Sequence, residues 1–183
     1  MKARSMHLTA GRLVLKAFED ADREALLRMT RDERVRATYM IPDFAGPAQE
    51  EAFFRRLRTL SLSPERIVYG IFLDGALIGM INDCGIRGTA VELGYFLSPE
   101  HWGRGYATEA LRAVTEELFR IGCESITAGY FEGNEASRRV MEKCGMRPLG
   151  TEAFIDDRGV RRRCLYCGIR RADRIGGRAG EDG

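Results

Sequence analysis

Apolar positions in the first third of the chain follow the period of a strand and then that of a helix. In residues 8–16, Leu13 and Leu15 lie two positions apart and so on one face of an extended chain, which predicts a first strand. The acidic run at residues 19–22 predicts the start of a helix, because carboxylates stabilise the positive N-terminal end of a helix. A second helix is predicted over residues 50–60, where apolar side chains recur at helical spacing: Phe53, Phe54, Leu57 and Leu60.

The middle of the chain changes to a β pattern. Residues 67–73 are rich in β-branched and aromatic side chains and predict a strand. Asp74-Gly75 predicts a two-residue hairpin turn, because this kind of turn requires positive φ angles. Two further strands are predicted, over residues 77–82 and over residues 90–97.

Helical and strand patterns alternate in the last third of the chain. From Ala107 onward, apolar residues fall on one face of a long helix that Gly122 ends. A strand over residues 125–131 and a short helix over residues 135–144 follow, and residues 151–170 have the pattern of a hairpin.

This order of elements predicts a mixed α/β sheet with helices packed on both of its faces. One domain is expected over residues 1–170, because 183 residues are typical of a single domain and no linker interrupts the pattern. Residues 171–183 are polar and rich in glycine, which predicts a disordered tail.

Charge, hydropathy and cysteine content narrow the function classes. With 29 Lys and Arg against 27 Asp and Glu, the net charge is +2, so neither nucleic-acid nor membrane binding is expected. No apolar run is long enough to span a bilayer or to act as a secretory signal, which predicts a cytoplasmic protein. The five cysteines are expected to be free thiols. Cys164 and Cys167 have the spacing of half a zinc site, but no second pair exists, so no metal is expected.

The segment between the strand at residues 90–97 and the long helix carries the most specific chemical signal. Gly103 and Gly105 remove side chains where the backbone can approach a ligand. The N–H groups at the helix start and the charge of Arg104 favour an anion such as a phosphate or pyrophosphate. The spacing matches neither a P-loop nor the dinucleotide fingerprint, in which Thr108 would have to be glycine.

Two sequence blocks resemble one family. Residues 102–107, Trp-Gly-Arg-Gly-Tyr-Ala, look like the coenzyme A pyrophosphate loop of the GNAT acetyltransferase superfamily, except that Trp102 replaces the usual Gln or Arg. Residues 134–146 are similar to the family's Asn-x-x-Ser helix, which ends in Lys-x-Gly-Phe. Residues 8–16 resemble the opening strand of the branch that contains the ribosomal-protein N-terminal acetyltransferases RimJ and RimL.

The resemblance implies a GNAT fold, a mostly antiparallel sheet that splays between two parallel central strands at residues 90–97 and 125–131. It implies acetyl-CoA as the cofactor, with the pantetheine arm between the splayed strands and the pyrophosphate on the glycine-rich loop. Asn134 is independently expected to cap the helix that follows it. The implied cofactor-binding residues are Phe96, Leu97, Gly103, Arg104, Gly105, Tyr106, Ala107, Thr108, Asn134 and Ser137.

The same resemblance implies transfer of an acetyl group to a primary amine, either a protein N-terminus or a small molecule, by direct attack in a ternary complex. Ser137 is the candidate general acid and Glu92 the candidate general base. From the residues alone, Ser137 can equally be an ordinary helix residue and Glu92 a solvated strand carboxylate. Tyr130 and Glu132 are weaker candidates for these roles.

Three points stay open at this level. A non-catalytic acyl-CoA-binding sensor would keep the phosphate loop without a working acid or base. The identity of the acceptor and the existence of a homodimer are not indicated by any motif. Aromatic residues, either lining the acceptor side or simply filling the core, are Tyr39, Phe53 and Phe54.

Overall fold

The computed structural model describes residues 2–155 and 159–176. Its strands are β1 (His7–Ala10), β2 (Leu13–Lys16), β3 (Val68–Leu73), β4 (Ala76–Arg87), β5 (Ala90–Leu97), β6 (Ser125–Phe131), β7 (Arg147–Ile155) and β8 (Arg161–Arg170). Its helices are α1 (Arg23–Arg31), α2 (Glu33–Arg36), α3 (Pro47–Ser61), α4 (Tyr106–Arg120), α5 (Glu135–Lys143) and α6 (Arg171–Gly176).

The strands form one sheet in the order β1-β2-β3-β4-β5-β6-β8-β7. Among the strand pairs of the described residues, β5 and β6 alone run parallel, and α4 makes the crossover between them. Their register runs from Ala90 opposite Ser125 to Leu93 opposite Ala128. The predicted mixed, mostly antiparallel sheet with two parallel central strands is therefore confirmed.

Helices cover both faces of the sheet, as predicted. On one face α4 and α5 bury a large core that includes Leu111, Val114 and Leu93. On the other face α1 and α3 close a second core around Phe18, Leu26 and Phe54. Within the described part of the chain, none of the helices is both long and apolar enough to cross a membrane.

The predicted first strand over residues 8–16 is in fact two strands. β1 and β2 form a hairpin that pairs His7 with Lys16 and turns at Gly11, whose φ is +61°. Apolar alternation continues through the turn, so it conceals the turn from a pattern-based prediction. The turn at Asp74-Gly75 is confirmed, with φ values of +49° and +82°.

The predicted strand over residues 77–82 is too short, because β4 continues to Arg87. Its register against β5 shifts between Asp83 and Gly85, so Cys84 is the extra residue of a β-bulge. A bulge of this kind re-aims the side chains beside it, and this one lies opposite Glu92.

The predicted disordered tail is wrong for its first six residues. Arg171–Gly176 form helix α6, and the Arg171 N–H donates to the carbonyl oxygen of Glu124. This hydrogen bond continues the pairing of β8 with β6, which a reading of local composition could not foresee. The remainder, residues 177–183, lies outside the described residues, as do residues 156–158 at the predicted hairpin turn.

Two glycines of β4 provide a test of how closely β4 packs against β5. A Cβ at Gly79 would lie 2.3 Å from the carbonyl oxygen of Phe96, whereas a Cβ at Gly85 would meet nothing within 4 Å. Because backbone cannot move aside as a flexible side chain can, we expect Gly79→Ala to lower the free energy of unfolding by about 1–3 kcal/mol. The control Gly85→Ala should stay within about 0.5 kcal/mol of wild type. Denaturant titration measures the free energy of unfolding of both variants. Equal losses would contradict the close approach of Gly79 to the backbone of β5.

Candidate active site

The central feature of the molecule is the point at which β5 and β6 part. They pair through Leu93 and Ala128, but residues 94–97 of β5 have no partner on β6. Beyond the parting, β6 stays paired with β8 as far as Phe131 opposite Cys164. A cavity of about 550 Å³ opens here, lined by both strands, by the start of α4 and by α5.

Strand alternation shows which backbone groups of β5 face the gap. Ser98 N–H donates to Ile78 on β4, so Phe96, two residues earlier, also directs its N–H and C=O toward β4, opposite Met80. Tyr95 and Leu97 therefore direct their N–H and C=O groups toward the gap. The backbone of Phe96 thus does not face the gap, although its side chain lines the cavity. The sequence did not distinguish Phe96 from Leu97.

The glycine-rich segment forms the end of the cavity as predicted. Gly103 and Gly105 have φ values of +74° and +85°, so both adopt the left-handed conformation that favours glycine. Gly105 is the N-cap of α4, and its carbonyl oxygen accepts a hydrogen bond from the backbone N–H of Glu109. The next three N–H groups have no acceptor within the helix. They belong to residues that line the cavity: Tyr106, Ala107 and Thr108.

Trp102, the departure from the family pattern, connects this loop to β5. Its indole N–H donates to the carbonyl oxygen of Leu97 at 2.8 Å. A backbone acceptor that the parting leaves without a strand partner is therefore satisfied by a side chain. This contact of Trp102 was not predicted.

Arg12 supports the loop from the β1–β2 hairpin and was not predicted. Its guanidinium donates to the carbonyl oxygen of Arg104 at 2.7 Å and to a carboxylate oxygen of Glu109 at 3.0 Å. The guanidinium also lies 4.3 Å from the ring centroid of Tyr106. The backbone N–H of Arg12 donates to Glu109 as well, at 3.0 Å. The contacts fix the first turn of α4, where the orphan N–H groups lie.

Arg104, a predicted cofactor-binding residue, lies at the surface beside the loop. Its side chain is exposed and is not among the groups that line the cavity. Its fixed contribution to the site is the backbone carbonyl that Arg12 holds.

Asn134 and Ser137 lie at the start of α5, on the far side of the gap from the loop. Asn134 Oδ1 accepts from the Ser137 N–H at 3.1 Å, which confirms the predicted N-cap. Both residues line the cavity. The Ser137 hydroxyl lies 2.8 Å from the hydroxyl of Tyr95 on β5, a contact between residues 42 positions apart.

Glu92 lies on the opposite face of β5 from Tyr95, since residues three apart on a strand point to opposite faces. It lines the cavity beside Cys84 and Tyr166. Burial, and secondarily the nearby carboxylate of Glu152, raises the pKa of Glu92, while Arg87 opposes this shift. The gap in the sheet is therefore bordered by a carboxylate on one face and a hydroxyl pair on the other.

Comparison with known proteins identifies this architecture. A family model described as the acetyltransferase (GNAT) domain matches residues 12–147. The chain belongs to the GNAT acetyltransferase family. This GNAT protein is an acetyl-CoA-dependent N-acetyltransferase.

Two relatives are the N-acetyltransferases YoaA and YnaD of Bacillus subtilis (strain 168), both uncharacterized. YoaA is 29% identical over 148 residues, which cover 78% of this chain and 84% of YoaA. YnaD is 30% identical over 147 residues, which cover 79% of this chain and 85% of YnaD.

Solved structures share the fold. A GNAT acetyltransferase from Bacillus anthracis is 26% identical with a TM-score of 0.75, covering 90% of this chain and 98% of that one. RimJ of Mycobacterium smegmatis, solved with a CoA-disulfide, has a TM-score of 0.78 at 19% identity, covering 94% of this chain and 88% of RimJ.

The residues of this GNAT domain fit acetyl-CoA in two respects. The first turn of α4 presents N–H groups to the cavity, which suits the pyrophosphate. The open edge of β5 at Tyr95 and Leu97 presents backbone groups that an extended arm could pair with, as an added strand does.

The remaining sequence candidates divide between the GNAT cavity and the core. Tyr130 and Tyr39 line the cavity, and the Tyr39 hydroxyl donates to Asn82 at 2.7 Å. Glu132 instead pairs with Arg163 at 2.6 Å and is not part of the lining. Phe54 lies in the second core, Phe53 packs against it, and neither is among the residues that line the cavity.

The cysteines agree with the prediction of free thiols. Cys164 lines the cavity and Cys167 lies in the first core, on the two faces of β8. Among residues 2–155 and 159–176, no three His, Cys, Asp or Glu side chains come together as a metal site.

Gly105→Val tests the loop, with Gly88→Val as its control. Both glycines have positive φ, +85° and +62°, but Gly88 lies in the β4–β5 turn, outside the cavity lining. Each valine should destabilise the fold by about 1–2 kcal/mol, because an L-residue is strained in this conformation. Gly105→Val alone should also weaken acetyl-CoA binding by at least about tenfold, or 1.4 kcal/mol, because the strain displaces the N–H groups of α4. Calorimetry that finds equal affinity in both folded variants would exclude the loop from the cofactor site.

Proposed function

We propose that this GNAT protein transfers the acetyl group of acetyl-CoA directly to a primary amine, without a covalent acetyl-enzyme. The observation that carries the proposal is the gap between β5 and β6, which joins the two faces of the sheet. The amine approaches from the Glu92 face, and the departing sulfur lies near Ser137 on the other. Attack and departure occur at different atoms, so a base and an acid on separate faces suit the reaction.

Direct transfer is favoured over a covalent route by the state of the thiols in the cavity. Burial, then the nearby carboxylates of Glu92 and Asp83, raises the pKa of Cys84 to about 12. Burial likewise raises the pKa of Cys164. The thiolate is the nucleophilic form of cysteine, so neither thiol is activated for attack on a thioester near neutral pH.

Glu92 acts as the general base in this proposal. An amine attacks only as the neutral species, and an α-amine has a pKa of about 7.7–8.0, against about 10.4 for lysine. A carboxylate with a raised pKa accepts a proton more readily than an ordinary surface glutamate does. The site thus favours an α-amine or another weakly basic amine over a free lysine side chain.

Ser137 supplies the proton for the departing thiolate. Its hydroxyl lines the cavity at the start of α5, where the Asn134 cap fixes the backbone that carries it. The Leu97 N–H, directed into the gap, is the donor we assign to the thioester oxygen.

A peptide N-terminus is the acceptor class that the comparisons favour. RimL, a ribosomal L7/L12 alpha-N-protein acetyltransferase, shares the fold with a TM-score of 0.78 at 17% identity. Unpaired thiols fit action in the reducing cytoplasm. A small-molecule amine remains the second acceptor class.

Thiol release from acetyl-CoA with a panel of amines tests the function. We expect release that depends on the amine, with N-terminal dipeptides ahead of free lysine, and intersecting kinetics for a ternary complex. Tight acetyl-CoA binding in calorimetry without release for any amine would contradict the proposal.

Glu92→Gln, compared with Glu132→Gln, tests the base. A general base must be ionised, so kcat/KM should rise with pH through the pKa of Glu92, which is shifted upward from the ordinary carboxyl range. Glu92→Gln should lower kcat/KM by about 10²–10⁴-fold and abolish this acidic limb. Glu132→Gln, outside the cavity, should keep the wild-type kcat/KM and the acidic limb of its pH profile. A normal profile in Glu92→Gln would assign the base to a water path.

A further inference from the structure

We propose that Tyr95 is a positioning residue for Ser137, holding the serine hydroxyl so that its proton points into the gap. The inference rests on the proposed function, because it concerns the acid of that reaction. None of the segments that resemble the family includes Tyr95, which lies on β5, before the loop at residues 102–107.

The geometry joins β5 to α5 across the cavity. The Tyr95 hydroxyl lies 2.8 Å from Ser137 Oγ and 3.3 Å from the Ser137 carbonyl oxygen. Both residues line the cavity. The Tyr95 ring packs against the first core, so the hydroxyl is carried by a side chain with a fixed position.

We assign the Tyr95 proton to the shorter contact, at 2.8 Å to Ser137 Oγ, rather than to the 3.3 Å contact with the Ser137 carbonyl oxygen. A serine in the first turn of a helix can turn its hydroxyl proton back to a nearby backbone carbonyl, which would direct it away from a ligand. When the Tyr95 hydroxyl donates to Ser137 Oγ, the serine oxygen accepts that hydrogen bond. The serine proton can then be donated to a group in the gap. Burial raises the pKa of Tyr95, so the phenol stays protonated and remains a donor.

The same bond assists the proton transfer. As the bond between sulfur and the acetyl carbon breaks, the O–H bond of Ser137 breaks and an S–H bond forms on the departing sulfur. Ser137 Oγ then bears negative charge, which the Tyr95 hydroxyl stabilises, because hydrogen bonds to charged acceptors are the stronger ones. Glu92 takes the proton that the amine loses, and exchange with solvent returns each group to its starting state. The products are the N-acetylated amine and free coenzyme A thiol.

A purely structural tie between β5 and α5 is the competing role for Tyr95. A tie would lower stability and acetyl-CoA affinity when it is lost, and its effect would be independent of the Ser137 hydroxyl. A positioning role would lower turnover at constant affinity, and only while Ser137 has its hydroxyl.

A double-mutant cycle of Tyr95→Phe and Ser137→Ala separates the two roles. Phe keeps the ring that packs in the core and removes only the hydroxyl. We expect Tyr95→Phe to lower kcat by about 10- to 100-fold, the usual range for a lost hydrogen bond to a charged group. Its acetyl-CoA affinity should be unchanged. In the Ser137→Ala background the same change should cost no more than about twofold, because coupled residues are not additive.

Tyr69→Phe is the matched control. Its hydroxyl donates to the Ser5 carbonyl oxygen at 2.6 Å, it is fully buried, and it is not part of the cavity lining. It should lower the melting temperature without changing kcat.

The outcomes of the double-mutant cycle distinguish the positioning role of Tyr95 from the structural role. Normal kcat in Tyr95→Phe, with Ser137→Ala impaired, overturns the inference and leaves the acid of the proposed function intact. Additive losses, or a loss of affinity with constant kcat, assign Tyr95 to the structural tie. Near-normal turnover in folded Ser137→Ala removes the acid itself and with it the role of Tyr95.

Discussion

The parting of β5 and β6 after Leu93 and Ala128 is the constraint on which the rest of this structure depends. A sheet that opens in its interior leaves backbone donors and acceptors without strand partners, and buried groups of this kind must find others. Trp102 satisfies one of them, at Leu97. The others on this edge are directed to the cavity, where an extended ligand arm can satisfy them.

The helices on either side convert the gap into a site. α4 follows β5 after a loop that ends at Gly105, which has a left-handed conformation, and it presents its first N–H groups to the cavity. Arg12 stabilises this loop by donating to the carbonyl oxygen of Arg104. α5 follows β6 and presents Ser137 from one face, while the bulge at Cys84 lies opposite Glu92 on the other. The chemical groups therefore come from four separate elements, so no single linear sequence motif contains all of them.

Much of the fold follows from local pattern. The strands over residues 90–97 and 125–131 match β5 and β6 residue for residue, because both are rich in strand-forming residues and end at turn-forming residues. The β1–β2 turn at Gly11 was missed because its flanking residues continue the alternation, and α6 was missed because its composition resembles a solvated tail. The start of α6 is held by a partner distant in the sequence, Glu124, whereas the β1–β2 hairpin is local.

The same division holds within the site. The glycine loop and the Asn134 cap are local signals, and the sequence located both. Tyr95 and Arg12 act through contacts across the fold, so nothing in their neighbouring residues reveals them. The indole of Trp102 contacts the nearby Leu97, but no motif indicates this hydrogen bond. Arg104 shows the converse, a charge that the motif suggests for the ligand but that is not part of the cavity lining.

Amide hydrogen exchange of the protein with and without acetyl-CoA tests the central claim, that the cofactor completes the open edge of β5. The Leu97 N–H faces the gap, whereas the neighbouring Phe96 N–H is already paired with β4. Binding should slow exchange at Leu97 and at the first N–H groups of α4, while Phe96, protected in both states, should change little. Protection of the α4 groups with no change at Leu97 would contradict the claim, because the cofactor would then bind the loop without entering the gap.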